Sequence, residues 1–259
     1  LNTPEFDRYA WFCTDSSVRG NMDWETFCDI DIFIPPIPVQ EKFINVYKST
    51  LRRIDEYNTN IKNLKNICHY ELEKLITKNN KVQLKGLIKR HDKKNSDNKI
   101  KNVKGVSVTK EFRNPTSKVN IENLSNYKIV QPRQISFVQT TNNEKVFSYA
   151  FNNTNENIVV TSVNEVFSTD ETKLLPEFLC IFFNRKEFDR YARYHSWGTA
   201  REVFTWENML EVEIPDVNIN TQKSIAALYK TYLNKTLIYQ KLCNTLKNLY
   251  PILLKGALN

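Results

Sequence analysis

The sequence predicts an α+β protein, in which a mixed α/β domain rich in strands is combined with two long helices that pair as an antiparallel coiled coil. Three observations predict it. A module near the start of the chain is repeated near its end, and each copy carries a long amphipathic segment free of glycine and proline. Between the copies, short apolar runs alternate with polar turns, which is typical of a strand-rich domain.

The duplicated module is the clearest of these features. The hexapeptide EFDRYA occupies residues 5–10 and again residues 187–192, a shift of 182 positions. At the same shift and without a gap, about a quarter of the positions from residue 5 to the end of the repeat are identical, among them Trp24 with Trp206 and Gln40 with Gln222. We therefore expect both copies to contain the same elements in the same order.

Each copy begins with apolar residues at alternating positions, and this period of two predicts a strand that ends at proline. The residues concerned are Phe27, Ile30, Ile32 and Ile34 in the first copy and Met209, Leu210, Val212 and Ile214 in the second. Trp24 and Trp206 precede these runs and are expected to be core anchors rather than platforms for base stacking.

The long segments, residues 40–78 and 222–250, carry apolar residues at steps of three and four, which predicts helices with one apolar stripe. Two such helices can cover each other's stripes, and the domain between them favours an antiparallel pairing. Cys68 and Cys243 lie on the stripes and are expected to be small core residues. Pro251 predicts a kink or an early end of the second helix.

The segment between the helices predicts a domain of short strands and one short helix. The apolar runs that predict strands are residues 103–108, 127–130, 135–138, 146–151 and 158–163, and residues 176–184 predict the helix. Residues 1–38 match only the last part of this domain.

The positive charge is concentrated in one segment. The chain has a formal net charge of +8, but residues 81–133 alone contain fourteen Lys and Arg against four Asp and Glu. Such a focus favours a polyanionic partner. The alternative is a solvated, lysine-rich loop without a partner.

Several other classes of protein are disfavoured. No apolar run is long enough to cross a membrane, and the N-terminus does not resemble a signal peptide, so we expect a cytoplasmic protein whose sequence here begins inside a longer chain. The five scattered cysteines predict reduced thiols, with no disulfide frame and no metal site. With five glycines there is no phosphate or cofactor loop, and we expect no cofactor and no catalytic residues. Glu171, Thr172 and Lys173 have a nuclease-like spacing but lack a partner motif, and are interpreted as a loop.

The order of several motifs resembles the specificity subunits of type I restriction-modification enzymes. The resemblance covers the whole chain, although no single motif is diagnostic. Its carriers are VKGVSVTKEF at 103–112, YKIV at 127–130, LPEFL at 175–179, SWGTAR at 196–201 and the proline-rich IPPIPVQE at 34–41.

The resemblance implies a non-catalytic subunit that recognises double-stranded DNA. Residues 1–38 would be the remnant of a first target recognition domain, 39–79 and 216–259 the two conserved helices that act as a spacer, and 80–215 a target recognition domain for one half of a bipartite site. It also implies docking of modification (methyltransferase) subunits, possible joining of the motor-nuclease subunit, and a homodimer if the chain is a half-subunit. The chain departs from the family by lacking most of the first recognition domain.

Phosphate contacts need cations, and base edges are read by Arg, Lys, Asn or Gln. The candidate DNA-binding residues are Lys89, Arg90, Lys93, Lys94, Lys99, Lys101, Lys104, Lys110, Arg113, Lys118 and Arg133, with Arg19 and Arg201 from the repeat. The polar run 91–102 is expected to be a mobile loop. Gln134, Gln139 and Asn142 are weaker candidates for reading adenine. Arg19 and Arg201 have an equal alternative, which is pairing with Glu25 and Glu207 inside the fold.

Two other functions stay open at this point. One is an adaptor whose coiled coil binds protein partners without any nucleic acid. The other is a ribonucleoprotein subunit whose inserted domain binds RNA.

Overall fold

The computed structural model describes residues 4–14, 20–31, 34–116, 118–140, 144–197 and 202–258. The chain divides into two compact units, Leu1–Asn63 with Leu233–Asn259, and Leu64–Tyr232. Seven helices are described: α1 (Pro4–Phe12), α2 (Trp24–Cys28), α3 (Ile37–Lys78), α4 (Pro176–Phe183), α5 (Lys186–Tyr194), α6 (Trp206–Leu210) and α7 (Ile219–Leu258).

Ten strands are described, and all but one precede α4. They are β1 (Lys81–Gln83), β2 (Ile88–His91), β3 (Gly105–Val106), β4 (Phe112–Arg113), β5 (Lys128–Val130), β6 (Ile135–Val138), β7 (Tyr149–Phe151), β8 (Ile158–Val160), β9 (Asn164–Thr169) and β10 (Glu213–Pro215). Each expected run from 103–108 to 158–163 contains a strand, and the expected helix at 176–184 is α4.

The duplication is visible in the helix boundaries. When α1 and α2 are shifted by 182 residues they coincide with α5 and α6, and the first residue of α3 coincides with the first residue of α7. The hydrogen bonds repeat as well. Gln40 Nε2 donates to the carbonyl of Pro35 at 2.7 Å, and Gln222 Nε2 donates to the carbonyl of Val217 at 2.7 Å. Because the same side chain caps the same turn in both copies, the repeat is one of structure as well as sequence.

Among the described residues, most of the strand expected at the start of each copy is wrong, because a capped helix occupies its first positions; Ile32 lies outside the described residues. The Asp23 carboxylate accepts a hydrogen bond from the backbone N–H of Thr26 at 2.7 Å, and Thr205 caps α6 in the same way through Asn208. N-cap side chains of this kind stabilise a helix start. Only β10 remains of the expected strand in the second copy.

The two copies differ sharply in burial. Trp206 is 9% exposed and packs on Phe167, with ring centroids 5.9 Å apart, so its expected role as a core anchor is confirmed. Trp24, its repeat mate, is 74% exposed and stacks only on Phe27 among the rings described. The expectation that Trp24 is a core anchor is therefore wrong, because none of the described strands covers the first copy's helices.

The unit of residues 1–63 and 233–259 consists of α1, α2 and parts of the two long helices. The ammonium group of Lys235, in the first half of α7, lies 5.3 Å from the ring centroid of Tyr57 at the middle of α3, so the two long helices meet here as expected. The early end expected at Pro251 does not occur, since α7 continues to Leu258.

In the unit of residues 64–232, a strand pair lies between the end of α3 and the start of α7. β1, just after α3, pairs antiparallel with β10, just before α7, with Lys81 opposite Pro215. Cys68 and Leu72 on α3 are buried here, which confirms Cys68 as a core residue.

A four-stranded antiparallel sheet in the order β2-β9-β6-β7 forms the centre of this unit. One face carries an aromatic core with α4, α5 and α6, in which Phe147 and Phe188 lie with ring centroids 5.0 Å apart. A smaller apolar cluster joins β9 to the β5-β8 pair through Val166, Val130 and Val160. The edge strand β2 and the segment after it are thereby held in place.

Candidate nucleic-acid interface

The candidate interface begins on β2, the edge strand of the central sheet. Lys89 and Arg90 lie on this strand, opposite Ser168 and Phe167 of β9. Because β2 pairs on one side only, its other side and the segment that follows it lie at the rim of the domain.

Residues 91–102, expected to be a mobile loop, form a segment after β2 that is hydrogen-bonded within itself and to β5. The buried Asn95 side chain accepts from the N–H of Ile100 at 3.1 Å and donates to the carbonyl of the same residue at 2.9 Å. The backbone carbonyl of Lys93 accepts from the N–H of Ile129 on β5 at 2.8 Å. The segment is thus tied to a buried strand, and its lysines project from a defined backbone.

Five of the expected cations are exposed side chains with no hydrogen bond or ion pair to other described residues: Lys89, Lys93, Lys94, Arg113 and Lys118. Three more make local contacts only. Lys99 lies 3.2 Å from Asp97, Lys101 donates to the carbonyl of Ile121 at 2.9 Å, and Lys104 donates to Asn114 at 2.7 Å. These eight side chains could contact an anionic ligand at little cost in free energy, because the surface contacts that some of them would give up are weak.

Arg90 differs from its neighbours, because it is held within a network. Its Nε and Nη2 donate to the two carboxylate oxygens of Glu165 at 2.7 and 2.6 Å, and its guanidinium carbon lies 5.8 Å from the ring centroid of Trp206. Gln139 Nε2 donates to Glu165 Oε1 at 2.6 Å. Glu165 is 4% exposed, yet it accepts from both side chains, so its buried charge is compensated.

Lys110 lies inside the fold. Its ammonium group donates to Asp189 Oδ1 at 2.8 Å and to the carbonyl of Phe183 at 2.7 Å, and its side chain is 9% exposed. Burial lowers the pKa of Lys110 below its usual value, and Asp189 opposes that shift. A cation held in this way joins the β3-β4 connection to α4 and α5 rather than facing a ligand.

Arg133 is also engaged with the fold. Its guanidinium group donates to both Glu171 and Glu177, with the shortest contacts at 2.7 Å, and these pairs raise its pKa. Its backbone has φ +68°, a left-handed conformation that a side chain other than glycine rarely adopts. Arg133 therefore joins the β5-β6 turn to the start of α4. Glu171, Thr172 and Lys173 form the turn that was expected as a loop.

Arg19, Arg201 and Asn142 lie outside the described residues. Gln134 is buried, and its Oε1 accepts from the N–H of Gln131 at 2.8 Å. His195, expected to be structural or a surface contact, lies against the ring of Tyr191 with centroids 4.2 Å apart.

Sequence reasoning missed two residues of the site. Lys128 is buried on β5, and its Nζ lies 2.9 Å from Asp92 and 4.0 Å from Glu165. The contact between Lys128 and Asp92 lowers the pKa of Asp92. No local sequence signal marks Lys128 or Glu165, because each depends on partners that are remote in the chain.

Within the described part of the chain, no group of three or more His, Cys, Asp or Glu side chains is arranged to hold a metal ion. None of the described helices is long and apolar enough to span a membrane.

No family model matches the sequence, and no curated protein matches it either. Among solved structures, the S subunit of a type I restriction-modification system from M. genitalium is similar with a TM-score of 0.59 at 11% identity, over 92% of this chain and 66% of that one. The HsdS subunit from Thermoanaerobacter tengcongensis has a TM-score of 0.49 at 11% identity, over 98% and 67% of the two chains. A chain from a study of assembly and conformational transition of a type I system has a TM-score of 0.47 at 13% identity, over 87% and 60%.

The first of these similarities shows that the chain has the fold of a type I S subunit. It confirms the expected architecture of a mixed α/β domain combined with two long antiparallel helices. The chain spans 66% of the length of that S subunit.

Proposed function

We propose that this chain is a non-catalytic subunit that recognises double-stranded DNA by sequence and reads one half of a bipartite target. The observation that carries the proposal is the set of exposed cations on β2 and the ordered segment after it, in a chain with the fold of an S subunit. The positioned lysines suit phosphate contacts, which orient a protein on the duplex.

The charge distribution supports DNA as the ligand of this surface. Residues 81–133 carry an excess of ten positive charges. Of these cations, Lys110, Lys128, Arg90 and Arg133 are compensated by carboxylates inside the domain. The cations of this segment that are not compensated in this way are mostly the exposed lysines of residues 85–118. Each such contact to a phosphate would release counterions, which provides affinity at low salt.

The two long helices would act as the spacer and as the docking site for methyltransferase subunits. At a rise of about 1.5 Å per residue, the 42 residues of α3 span about 63 Å. Both helices keep large apolar side chains in solvent, among them Ile67 and Tyr70 on α3 and Leu237 on α7, at 47, 65 and 51% exposure. Where such residues form a contiguous patch, they suit a protein partner. A motor-nuclease subunit and a second copy of this chain are the further partners of this arrangement.

The test of the proposal is binding of fluorescent duplex DNA by the whole chain across a series of salt concentrations, repeated with the methyltransferase subunits from the same genome. We expect affinity to fall steeply and linearly on a log-log plot as salt rises. Binding that is absent in both experiments would favour a protein adaptor, and a preference for single-stranded RNA over duplex DNA would favour the ribonucleoprotein alternative.

Replacing Lys93 and Lys94 by alanine should make the salt dependence less steep by about 1.8 in slope, since each lost phosphate contact removes about 0.9. The melting temperature should not change, because neither side chain bonds to another described residue. The matched control replaces Lys62 and Lys65, two exposed lysines of α3, by alanine. An equal loss of slope in both double variants would show that binding depends on net charge and not on this surface.

A further inference from the structure

Arg90 is oriented by three contacts on two of its sides. Glu165 holds the edge formed by Nε and Nη2, with both donor-acceptor distances below 2.8 Å. The ring of Trp206 lies against the guanidinium group, and Trp206 itself is 9% exposed. An arginine held by a carboxylate and an aromatic ring loses little side-chain freedom when it binds a ligand.

The remaining edge of the guanidinium group is open. Its Nη1 makes no hydrogen bond to any residue that the structure describes, and the Arg90 side chain is 45% exposed. The edge formed by Nη1 and Nη2 presents two parallel N–H donors. Such a pair matches the O6 and N7 acceptors of guanine in the major groove.

The negative groups around Arg90 disfavour a contact between its guanidinium group and a phosphate. Glu165 already compensates it, and Asp92 and Glu207 add negative potential around the same group. A phosphate would be attracted weakly here and more strongly by the uncompensated Lys93 and Lys94. The neutral guanine edge needs directed donors rather than net charge.

We propose that Arg90 reads a guanine of the DNA target through the open edge of its guanidinium group, and that Glu165 and Trp206 are its positioning residues. The inference rests on the proposed function and deepens it. The carboxylate oxygen that accepts from Arg90 Nη2 also accepts from Gln139 Nε2 at 2.6 Å, so Glu165 holds both side chains.

The experiment selects bound duplexes from a random library with the wild-type chain and with Arg90→Lys. Lysine keeps the positive charge and can pair with Glu165, but it cannot donate two parallel hydrogen bonds. We expect the variant to lose its preference for guanine at one position of the selected motif, with about a ten-fold lower affinity for that motif. Its salt dependence should stay close to that of the wild type.

A second measurement changes the DNA. Replacing each guanine of the wild-type motif in turn by 7-deazaguanine removes the N7 acceptor, and one such change should weaken wild-type binding while leaving Arg90→Lys unaffected. The matched control is the double Lys93, Lys94 variant, which should select the wild-type motif with lower affinity.

The outcomes separate the two proposals. If the wild-type chain selects a motif but no guanine depends on N7, or if Arg90→Lys selects the same motif with the same preference, the inference about Arg90 is overturned and DNA recognition stands. If the wild-type chain selects no motif at any salt concentration, DNA recognition itself fails.

Discussion

Replacing Trp206 by alanine should destabilise the unit of residues 64–232 by about 3–5 kcal/mol, the usual cost of removing a large aromatic side chain from a core. Trp206 is 9% exposed, lies against Phe167, and belongs to the aromatic cluster under the central sheet. The change also removes the ring against which Arg90 lies. Urea denaturation followed by far-ultraviolet circular dichroism measures the loss.

The chain contains its own matched control in Trp24, the repeat mate of Trp206. Trp24→Ala should change stability by about 0.5 kcal/mol or less, because that ring is 74% exposed. Fluorescence supplies a separate check. The other tryptophans, Trp11, Trp24 and Trp197, are at least 65% exposed, so any emission at short wavelength should come from Trp206 and disappear in its variant. Equal destabilisation by the two substitutions would contradict the difference in burial.

The two long helices were predictable from the sequence because their determinants are local and repeated. The apolar stripes of α3 and α7 recur at helical spacing, and the repeat of EFDRYA places α1 and α5 at matching positions. Burial was not predictable in the same way. The same residues are covered in the second copy and exposed in the first, because burial depends on which strands lie next to the helix and not on the helix sequence.

Two strands of the central sheet were missed for a related reason. β2 has the sequence IKRH and β9 has NEVFST, and neither shows a clean apolar alternation. They form strands because they pair with each other, Arg90 opposite Phe167, and because Arg90 compensates the buried Glu165. A single sequence without its contacts contains no sign that a glutamate in β9 is neutralised by an arginine 75 residues earlier.

The charge pattern predicted the region of the candidate site but not the state of each cation. Lys93 and Lys110 belong to the same basic segment, yet Lys93 is exposed without a described partner and Lys110 is held by Asp189. The two lysines differ because Lys110 has an acidic partner, Asp189, which is 79 positions away in the sequence. The fold was thus predictable from the sequence, whereas the division between exposed cations and cations paired inside the domain required the tertiary contacts.

Replacing Asp189 by asparagine should destabilise the chain by about 3 kcal/mol at pH 7, near the lower end of the cost of breaking a buried ion pair. In the wild type, Asp189 Oδ1 accepts a hydrogen bond from the backbone N–H of Phe147 at 3.0 Å. Asparagine has nearly the same shape and can still accept this bond. What it loses is the charge opposite Lys110, whose side chain is 9% exposed. The repeat supplies the control, since Asp7 is the counterpart of Asp189 and is exposed on α1. Asp7→Asn should leave the denaturation midpoint unchanged.

The dependence on pH shows whether Lys110 is responsible for that loss. Burial lowers the pKa of Lys110 in the folded chain, and Asp189 is the group that opposes this shift. In Asp189→Asn the folded pKa should fall further, while the unfolded value stays near the usual one. The folded variant then binds fewer protons than the unfolded chain over a wider pH range below the unfolded pKa of Lys110. The stability of the variant therefore rises more with pH than the stability of the wild type does. We expect the deficit to be largest at pH 7 and smaller at pH 9.5 in matched urea titrations. A deficit that stays constant over this range would mean that the loss of stability does not arise from the charge of Lys110.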